Sequence, residues 1–256
     1  MIKVVKIGGN VVDNEELLTQ FCRSFAALEG PKVLVHGGGV MASRLQEKMG
    51  VPAKMIGGRR VTDDTTLQIV TMVYAGWCGK HICALLQKEG CNAMSLSGCD
   101  GNVIRASKRP PVEVNGEMVD FGNVGDVRKD SVNADALRSL LDAGFTPVLN
   151  AINHDGCGKL LNTNADTVAS SVAAALGAEL IICFEKPGVL LDRNDDSSLI
   201  PTLDSNLYRK LLDEGRIADG MIPKLENAFK VLGQGVPKVV IQHRSEEHTS
   251  ELQSRE

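Results

Sequence analysis

Short apolar runs alternate along this chain with longer segments that carry apolar residues at helical spacing. The apolar runs are rich in β-branched residues, which is typical of buried strands. They cover residues 3–7, 33–35, 93–96, 148–150, 180–184 and 239–241. This alternation predicts an α/β protein, a three-layer αβα sandwich whose mostly parallel central sheet is covered by helices on both faces.

Capping residues indicate where helices begin. Asp13, followed three residues later by Glu16, is typical of a capping box and predicts a helix that starts there. Thr62 or Asp63 can cap a longer helix that reaches about Lys88. This longer helix is apolar on two sides, so it fits either the protein core or the interface of a homodimer.

The region from residue 98 to residue 125 is rich in Gly, Asn and Pro. Within it, Asn115-Gly116 lies between two short alternating segments. This dipeptide accepts the positive φ angles of a type I′ turn. The pattern predicts a β-hairpin that forms a flap beside the ligand-binding cleft.

The composition is that of an ordinary globular protein, with 43% hydrophobic and 23% charged residues among 256. The formal net charge of −4 leaves no basic field for a phosphate backbone, so nucleic acid is not an expected partner. The chain begins with a strand-like segment rather than a signal peptide, and no run approaches the roughly 20 apolar residues of a membrane helix. Seven cysteines without a C-x-x-C pair fit reduced thiols, and we expect a cytoplasmic protein without membrane contact.

The end of the chain differs from the rest in polarity and in periodicity. Residues 244–254 are polar and aperiodic, and they resemble the translation of a common sequencing-library adapter. We therefore expect a single domain over residues 1–243 and a non-native tail over residues 244–256.

Two glycine-rich turns follow predicted strands: Gly8-Gly9 in the first, and Gly37-Gly38-Gly39 in the second. Glycine allows backbone N–H groups to approach a ligand, and a helix that begins there adds its positive dipole, so such turns suit phosphate or another anion. Neither turn has the spacing of a P-loop or of a dinucleotide fingerprint. Each alone also fits simple turn chemistry, but together they indicate a different nucleotide-binding architecture.

Five polar side chains are candidates for ligand contacts. Lys6 ends a strand suited to burial, where an unpaired ammonium is unfavourable, so it requires an anion. Lys224 opposes the dipole in the first turn of a predicted helix, which a bound phosphate or simple solvation would explain. Asp166 and Asn162 precede a helix and fit either capping or a ligand role. Arg60 suits a two-pronged contact with a carboxylate, or plain surface exposure.

The order and spacing of six motifs resemble those of the acetylglutamate kinases, a branch of the amino-acid kinase family. The resemblance spans residues 3–243, and its most specific parts are Arg60-Val61-Thr62 and Asn162-x-Asn164-Ala165-Asp166. It implies an ATP-dependent phosphotransferase that phosphorylates the γ-carboxylate of N-acetyl-L-glutamate or N-succinyl-L-glutamate, the second step of arginine biosynthesis. The other motifs are Lys6-x-Gly8-Gly9, His36-Gly37-Gly38-Gly39, Lys186-Pro187-Gly188-Val189-Leu190 and Asp219-Gly220-Met221-x-x-Lys224.

The resemblance also implies a role for each motif. Lys6 and Lys224 would flank the transferring phosphoryl group, and Asp166 would organise the two lysines. Backbone hydrogen bonds would come from Gly8 and Gly9. The acylated amino acid would be held by Gly38, Gly39, Arg60 and Asn162. ATP would be bound by Lys6, Lys224, Glu185, Lys186, Gly188, Val189, Leu190, Arg216, Ile217 and Ala218.

The same resemblance implies a metal cofactor and a division of the chain into two lobes. Mg²⁺ would bridge the phosphates of ATP, with no protein ligand assigned to it. An N-terminal lobe, about residues 1–175, would bind the acylated amino acid. A C-terminal lobe, about residues 176–243, would bind ATP and would be truncated by the tail.

Three alternatives stay open at this point. Arg59 adds a cation beside Arg60, which favours an acyl group with its own carboxylate, such as succinyl, unless Arg59 is simply exposed. Another acceptor, such as carbamate or a free amino acid, and a non-catalytic ligand sensor on the same fold compete with the main reading. The chain also lacks the amino-terminal helix of the hexameric, arginine-regulated relatives, so we expect a homodimer without arginine feedback.

Overall fold

The predicted strands form, and they meet in one large sheet. The computed structural model describes residues 1–184, 189–190, 195, 198–217, 222–243 and 249–253. Its strands, in chain order, are β1 (Lys3–Ile7), β2 (Lys32–His36), β3 (Met55–Ile56), β4 (Arg59–Arg60), β5 (Ala93–Leu96), β6 (Ser107–Lys108), β7 (Val112–Val114), β8 (Glu117–Val119), β9 (Gly125–Asp126), β10 (Thr146–Leu149), β11 (Ile152–His154), β12 (Leu160–Asn162), β13 (Glu179–Phe184), β14 (Thr202–Asp204), β15 (Val239–His243) and β16 (Thr249–Gln253).

Helices cover both faces of this sheet. They are α1 (Gly9–Val12), α2 (Glu15–Ala27), α3 (Gly39–Lys48), α4 (Asp64–Thr71), α5 (Gly79–Lys88), α6 (Ala134–Asp142), α7 (Ala165–Leu176), α8 (Ser205–Asp213) and α9 (Ile222–Leu232), with a π-helical segment at Met72–Cys78 and 3₁₀ turns at Asp100–Asn102 and Lys129–Ser131.

The central sheet has eight strands in the order β14-β16-β15-β13-β1-β2-β10-β5. All neighbours from β15 to β5 are parallel, whereas β15 and β16 are antiparallel. The predicted α/β sandwich with a mostly parallel sheet is therefore confirmed. The strand order also places β1 between β2 and β13, in the middle of the sheet.

Successive residues of β1 enter two different cores, one on each face of the sheet. Val4 lies in the core that includes residues of α6, α7 and α9, whereas Val5 and Ile7 lie in the core that includes residues of α2 and α5. Because side chains alternate along a strand, Lys6 points to the same face as Val4. The alternation therefore directs the Lys6 side chain toward α7.

The predicted capping box at Asp13 is wrong. Gly9–Val12 forms an additional helical turn, and the Asp13 N–H closes it by donating to the Gly9 carbonyl at 2.9 Å. Helix α2 begins one residue later, where the Asn14 side chain accepts from the Leu17 N–H at 3.0 Å. Both residues are good N-caps, and the turn before them decides which one is used.

The long helix predicted from residue 62 or 63 to residue 88 is confirmed, with Asp63 as its N-cap. It runs through α4, the π-helical segment and α5 without a break. Contrary to the expectation from sequence, this helix is long and apolar enough to cross a membrane by length and composition alone. It contacts α2, α3 and β5, and 44% of its most apolar stretch is buried, so part of its surface packs into this fold.

The predicted β-hairpin also forms. Strands β7 and β8 are antiparallel, and the turn between them has φ angles of 53° at Asn115 and 84° at Gly116. Both values lie in the left-handed region that a type I′ turn requires.

The polar tail, expected to lie outside the fold, contributes a strand to the sheet. β16 pairs with β15 on one side and with β14 on the other, and Leu252 is buried. The backbone of β16 pairs with the strand on each side, and the apolar Leu252 side chain packs into the core. The non-native origin of residues 244–256 stays a prediction.

Candidate active site

Lys6 and Asp166 form an ion pair at the carboxyl end of β1. Lys6 Nζ lies 2.7 Å from Asp166 Oδ1, and only 8% of Lys6 is exposed. Helix α7 is capped by Asn164, whose side chain accepts from the Thr167 N–H at 3.1 Å. Because Asn164 does the capping, the Asp166 carboxylate is left to pair with Lys6. The ammonium at the end of the buried strand thus has the anion that the sequence required.

The two glycine-rich turns lie side by side, because β1 and β2 are parallel neighbours. Gly8 is the N-cap of α1 and Gly38 is the N-cap of α3, and neither helix has a side-chain cap. Their first backbone N–H groups are therefore available to an anion. At Gly38 the approach is close: a Cβ would lie 2.8 Å from Tyr74 Cδ1, so only glycine fits there.

A cavity of about 320 Å³ opens beside the second of these turns. This size is at the lower end of the range for small-molecule sites. Of the predicted substrate residues, the cavity is lined by Gly38, Gly39, Arg60 and Asn162; further lining residues are Gly37, Met55, Gly58, Arg59, Tyr74, Arg109, Val124, Ala151, Thr163, Asn164, Ala165, Asp166 and Thr167.

Arg60 is buried and held by neutral acceptors. Its Nη2 donates to the Gly39 carbonyl at 2.9 Å and to Ser43 Oγ at 2.8 Å, and its Nη1 donates to Gln46 Oε1. Gln46 is fully buried and donates in turn to Thr66 Oγ1 at 3.3 Å. Within the described part of the chain, no carboxylate lies within ion-pair distance of Arg60. Its positive charge is therefore oriented but uncompensated.

Tyr74 is a cavity residue that the sequence did not single out. It lies in the π-helical segment, and its ring packs against Gly38. Burial raises the pKa of the Tyr74 phenol, and the nearby Arg60 guanidinium opposes this rise. Single turns of π-helix are frequent at functional sites, but helical periodicity in a sequence carries no signal for them.

Thr62 forms hydrogen bonds with three segments of the chain around the cavity. Asn162 Nδ2 donates to Thr62 Oγ1 at 3.0 Å, and Thr62 Oγ1 donates to the Arg60 carbonyl at 3.3 Å. The Thr62 N–H donates to the Phe121 carbonyl at 2.8 Å. The hydroxyl of the Arg-Val-Thr motif therefore positions Arg60 and Asn162 relative to each other, which the motif alone did not reveal.

His36, the first residue of the second glycine motif, is fully buried. Its Nδ1 lies 2.7 Å from the Gly37 carbonyl, so Nδ1 carries the proton and donates. Burial lowers the pKa of His36 to about 4. The imidazole is thus neutral near pH 7 and supports the turn.

The predicted ATP-binding residues are only partly described. Helix α9 begins at Ile222, which places Lys224 in its first turn as predicted, although the Lys224 side chain is outside the described part. Val189 and Ile217 are buried in the core that also contains residues of α7 and α9. Leu190 forms an isolated antiparallel β-bridge with Leu199. Arg216 Nη1 lies 3.8 Å from Glu214 Oε2. Outside the described residues lie Glu185, Lys186, Gly188 and Ala218.

The sheet order and the paired glycine turns define a known class of protein. Residues 1–243 match the amino acid kinase family, and the chain belongs to this family. It is 49% identical over 249 residues to the acetylglutamate kinase of Parabacteroides distasonis, covering 96% of this chain and 95% of that one. The resemblance drawn from the six motifs is therefore confirmed.

Solved structures agree on the fold. The N-acetylglutamate synthase of Neisseria gonorrhoeae, complexed with coenzyme A and N-acetyl-glutamate, matches with a TM-score of 0.81 at 23% identity, over 100% of this chain and 60% of that chain. The carbamate kinase of Giardia matches with a TM-score of 0.70 at 13% identity, over 99% of both chains. At these identities the likeness establishes the fold alone.

Proposed function

We propose that this protein transfers the γ-phosphoryl group of ATP to the γ-carboxylate of an N-acylated L-glutamate, the second step of arginine biosynthesis. The observation that carries the proposal is the pair of buried Lys6 with partly exposed Asp166 at the end of β1, with Gly8-Gly9 following Lys6 in sequence and a cavity lined by Asp166 and Arg60 next to it. The identity to an acetylglutamate kinase over nearly the whole chain supports the choice of acceptor.

In this proposal Lys6 stabilises the negative charge that develops on the transferring phosphoryl group. Positioning and electrostatic stabilisation provide most of the catalysis in phosphoryl transfer. Asp166 holds the Lys6 ammonium in place, and Lys224, at the start of α9, is the second cation. Gly8 and Gly9 donate backbone hydrogen bonds to the phosphates. The γ-carboxylate is already ionised near pH 7, so no general base is required.

Mg²⁺ enters with ATP. In the described ranges, no group of three or more His, Cys, Asp or Glu side chains is arranged to hold a metal ion. This fits a magnesium ion that keeps several waters and is held mainly by substrate phosphates. When bound, the ion neutralises phosphate charge, and the residues of this chain position the acceptor and the lysines around it.

The acceptor is held by its α-carboxylate on Arg60. The two terminal nitrogens of Arg60 both point into the polar cluster of Gly39, Ser43 and Gln46, which fixes the plane of the guanidinium. A fixed guanidinium suits a carboxylate better than an ammonium does. Asn162 and the N–H groups of Gly38 and Gly39 then hold the rest of the molecule, with the γ-carboxylate directed toward Lys6.

A succinyl group is a second candidate for the acyl part, and one arginine of the cavity, Arg59, favours it. Arg109 donates to both oxygens of Asp126, with Nε–Oδ1 at 3.0 Å, so its charge is compensated. Arg59 is exposed and has no ion-pair partner among the described residues. It is free to pair with a carboxylate at the far end of the acyl group. If the Arg59→Leu variant keeps the wild-type ratio of activities on the succinylated and acetylated substrates, this preference does not exist.

The remaining assignments extend the same proposal. ATP binds to Lys6, Lys224, Glu185, Lys186, Gly188, Val189, Leu190, Arg216, Ile217 and Ala218. Residues 1–175 form the acceptor lobe, residues 176–243 form the ATP lobe, and the protein works in the cytoplasm.

We also propose a homodimer that forms through the long helix. Met72 and Trp77, two large apolar side chains on this helix, expose 52% and 61% of their surface. A dimeric mass in light scattering that becomes monomeric in Trp77→Glu supports this interface. A hexameric mass contradicts the dimer, and inhibition by arginine contradicts the expected absence of arginine feedback.

The test of the function measures ADP release from ATP·Mg²⁺ with N-acetylglutamate, N-succinylglutamate and free glutamate in parallel. Release with an acylated substrate and none with glutamate is the expected result. Release with carbamate or a free amino acid would assign another family activity. ATP binding without any transfer would instead assign a ligand sensor.

A further inference from the structure

The helices that follow the two glycine turns approach each other at two points, one turn apart. At the front, Gly9 faces Val40: a Cβ placed on Gly9 would lie 3.8 Å from Val40 Cγ2. At the back, Asp13 Oδ2 lies 2.8 Å from Arg44 Nη1. Gly9 begins α1 and Asp13, four residues later, is its C-cap, and Val40 and Arg44 are four residues apart on α3. The contacts therefore hold the two helices side by side.

We propose that Asp13 and Arg44 are positioning residues that fix the spacing between the Gly8-Gly9 turn and the Gly38-Gly39 turn. This inference rests on the proposed phosphoryl transfer, in which the first turn holds the phosphate and the second holds the acceptor. A misplacement of about 1 Å between reacting groups can lower a rate by about 100-fold. Neither residue touches the cavity, so their effect is exerted through the helices.

The charges of this pair are arranged asymmetrically. The Asp13 side chain is 10% exposed, and its Oδ1 is buried without a hydrogen-bond partner in the described part of the chain. The Arg44 side chain is 63% exposed. Removing Arg44 leaves a buried carboxylate without its counter-ion, which is more unfavourable than removing both charges. Removing Asp13 leaves only a solvated guanidinium.

This asymmetry predicts how strongly kcat falls in each of three variants: Arg44→Gln, Asp13→Asn and the double variant. We expect kcat at saturating substrates to fall about tenfold in Arg44→Gln, consistent with a sub-ångström shift of the turns. Asp13→Asn and the double variant lose less, so the second substitution partly restores the first. The KM values for both substrates stay within about twofold, because the groups that bind each substrate are intact.

Arg23→Gln is the matched control. Arg23 Nε lies 3.7 Å from Glu89 Oε2 and the Arg23 side chain is 70% exposed, so Arg23→Gln removes the exposed partner of an ion pair away from both turns. We expect wild-type kcat in this control and a smaller change in melting temperature than in Arg44→Gln, because the Glu89 side chain is 21% exposed and the Asp13 side chain 10%. An unchanged kcat in Arg44→Gln, an equal fall in Arg23→Gln, or no recovery in the double variant overturns the proposal.

A second readout does not depend on turnover. Amide proton exchange at residues 8–10 and 37–40 is expected to quicken in Arg44→Gln and to stay unchanged in Arg23→Gln. If the wild-type protein transfers no phosphoryl group, the proposed function fails while this readout still decides whether the ion pair holds the turns. Unchanged exchange in Arg44→Gln refutes the positioning role whatever the activity.

Discussion

Lys6 and Arg60 are both buried cations, each with 8% exposure, but their surroundings differ. Lys6 lies against the Asp166 carboxylate at 2.7 Å. Arg60 lies against the Gly39 carbonyl, Ser43 and Gln46, which orient it without neutralising it. Lys6 therefore has a counter-ion within the protein, whereas Arg60 has none among the described residues.

The difference indicates what each cation does with a ligand. A buried charge without a counter-ion is unfavourable, so Arg60 gains most when a carboxylate of the acceptor arrives. Lys6 is already stable in the empty site, and Asp166 keeps it in one place for a charge that develops only during transfer. Arg60 is thus suited to ground-state binding and Lys6 to the transition state.

Lys6→Met tests this comparison with the largest expected effect. In the proposed mechanism Lys6 acts on the developing charge, so we expect kcat to fall by about 10²- to 10³-fold, the loss typical for one such group. The KM for the acylated glutamate stays close to that of the wild type. Steady-state ADP release measures both constants, and circular dichroism verifies the fold. A rise in KM at constant kcat would show that Lys6 only binds substrate.

Arg60→Leu is expected to show the opposite pattern. Losing a charged hydrogen bond of roughly 1.5–3 kcal/mol raises the KM for the acylated glutamate by about 10- to 100-fold. The KM for ATP is expected to stay unchanged, because Arg60 lies on the acceptor side. Titration of the acceptor at saturating ATP measures this. Equal losses for both substrates would contradict the assignment.

Asp166→Asn keeps the shape of the side chain and removes the charge beside Lys6. We expect kcat to fall about tenfold, because the ammonium is no longer held in one position. In the Lys6→Met background the same substitution is expected to have little effect, since the two residues act as one unit. Additive losses in this double-mutant cycle would separate them.

Asp63→Ala gives the smallest effect and serves as a control for Arg60, which lies nearby in sequence. Asp63 Oδ1 accepts from the Thr66 N–H at 2.7 Å, so its loss destabilises the protein by about 1 kcal/mol. That hydrogen bond lowers the pKa of Asp63. The stabilisation is therefore present above the ordinary pKa of the carboxyl and is lost as the pH falls through the lowered value. Urea denaturation at pH 7 and at pH 3 measures it; a changed KM would show that Asp63 is no neutral control.

The sequence predicted most of the sheet and the charged part of the site. Short apolar runs, most of them β-branched, located β1, β2, β5, β10, β13 and β15, because a buried parallel strand requires a local apolar run. Lys6 stood out because an ammonium at the end of such a run requires a partner. That partner, Asp166, was predicted as well.

Other parts of the site depend on contacts that no local pattern encodes. Gln46 and Tyr74 meet Arg60 and Gly38 only after α3 and the π-helical segment have packed together. Asp13 and Asn14 are both good helix caps, and the extra turn at residues 9–12 decides between them. Local propensity is overridden by tertiary context at such positions.

The central place of β1 also determines when the site is assembled. The strand is made first, yet its register with β13 joins Lys3 to Glu179 and Ile7 to Cys183. Contacts this distant along the chain form slowly, because the intervening loop must close first. During synthesis β1 therefore lacks one of its two neighbouring strands until β13 has left the ribosome. Chains truncated before Glu179 contain Lys6 and Asp166 but lack the strand that completes the sheet around them.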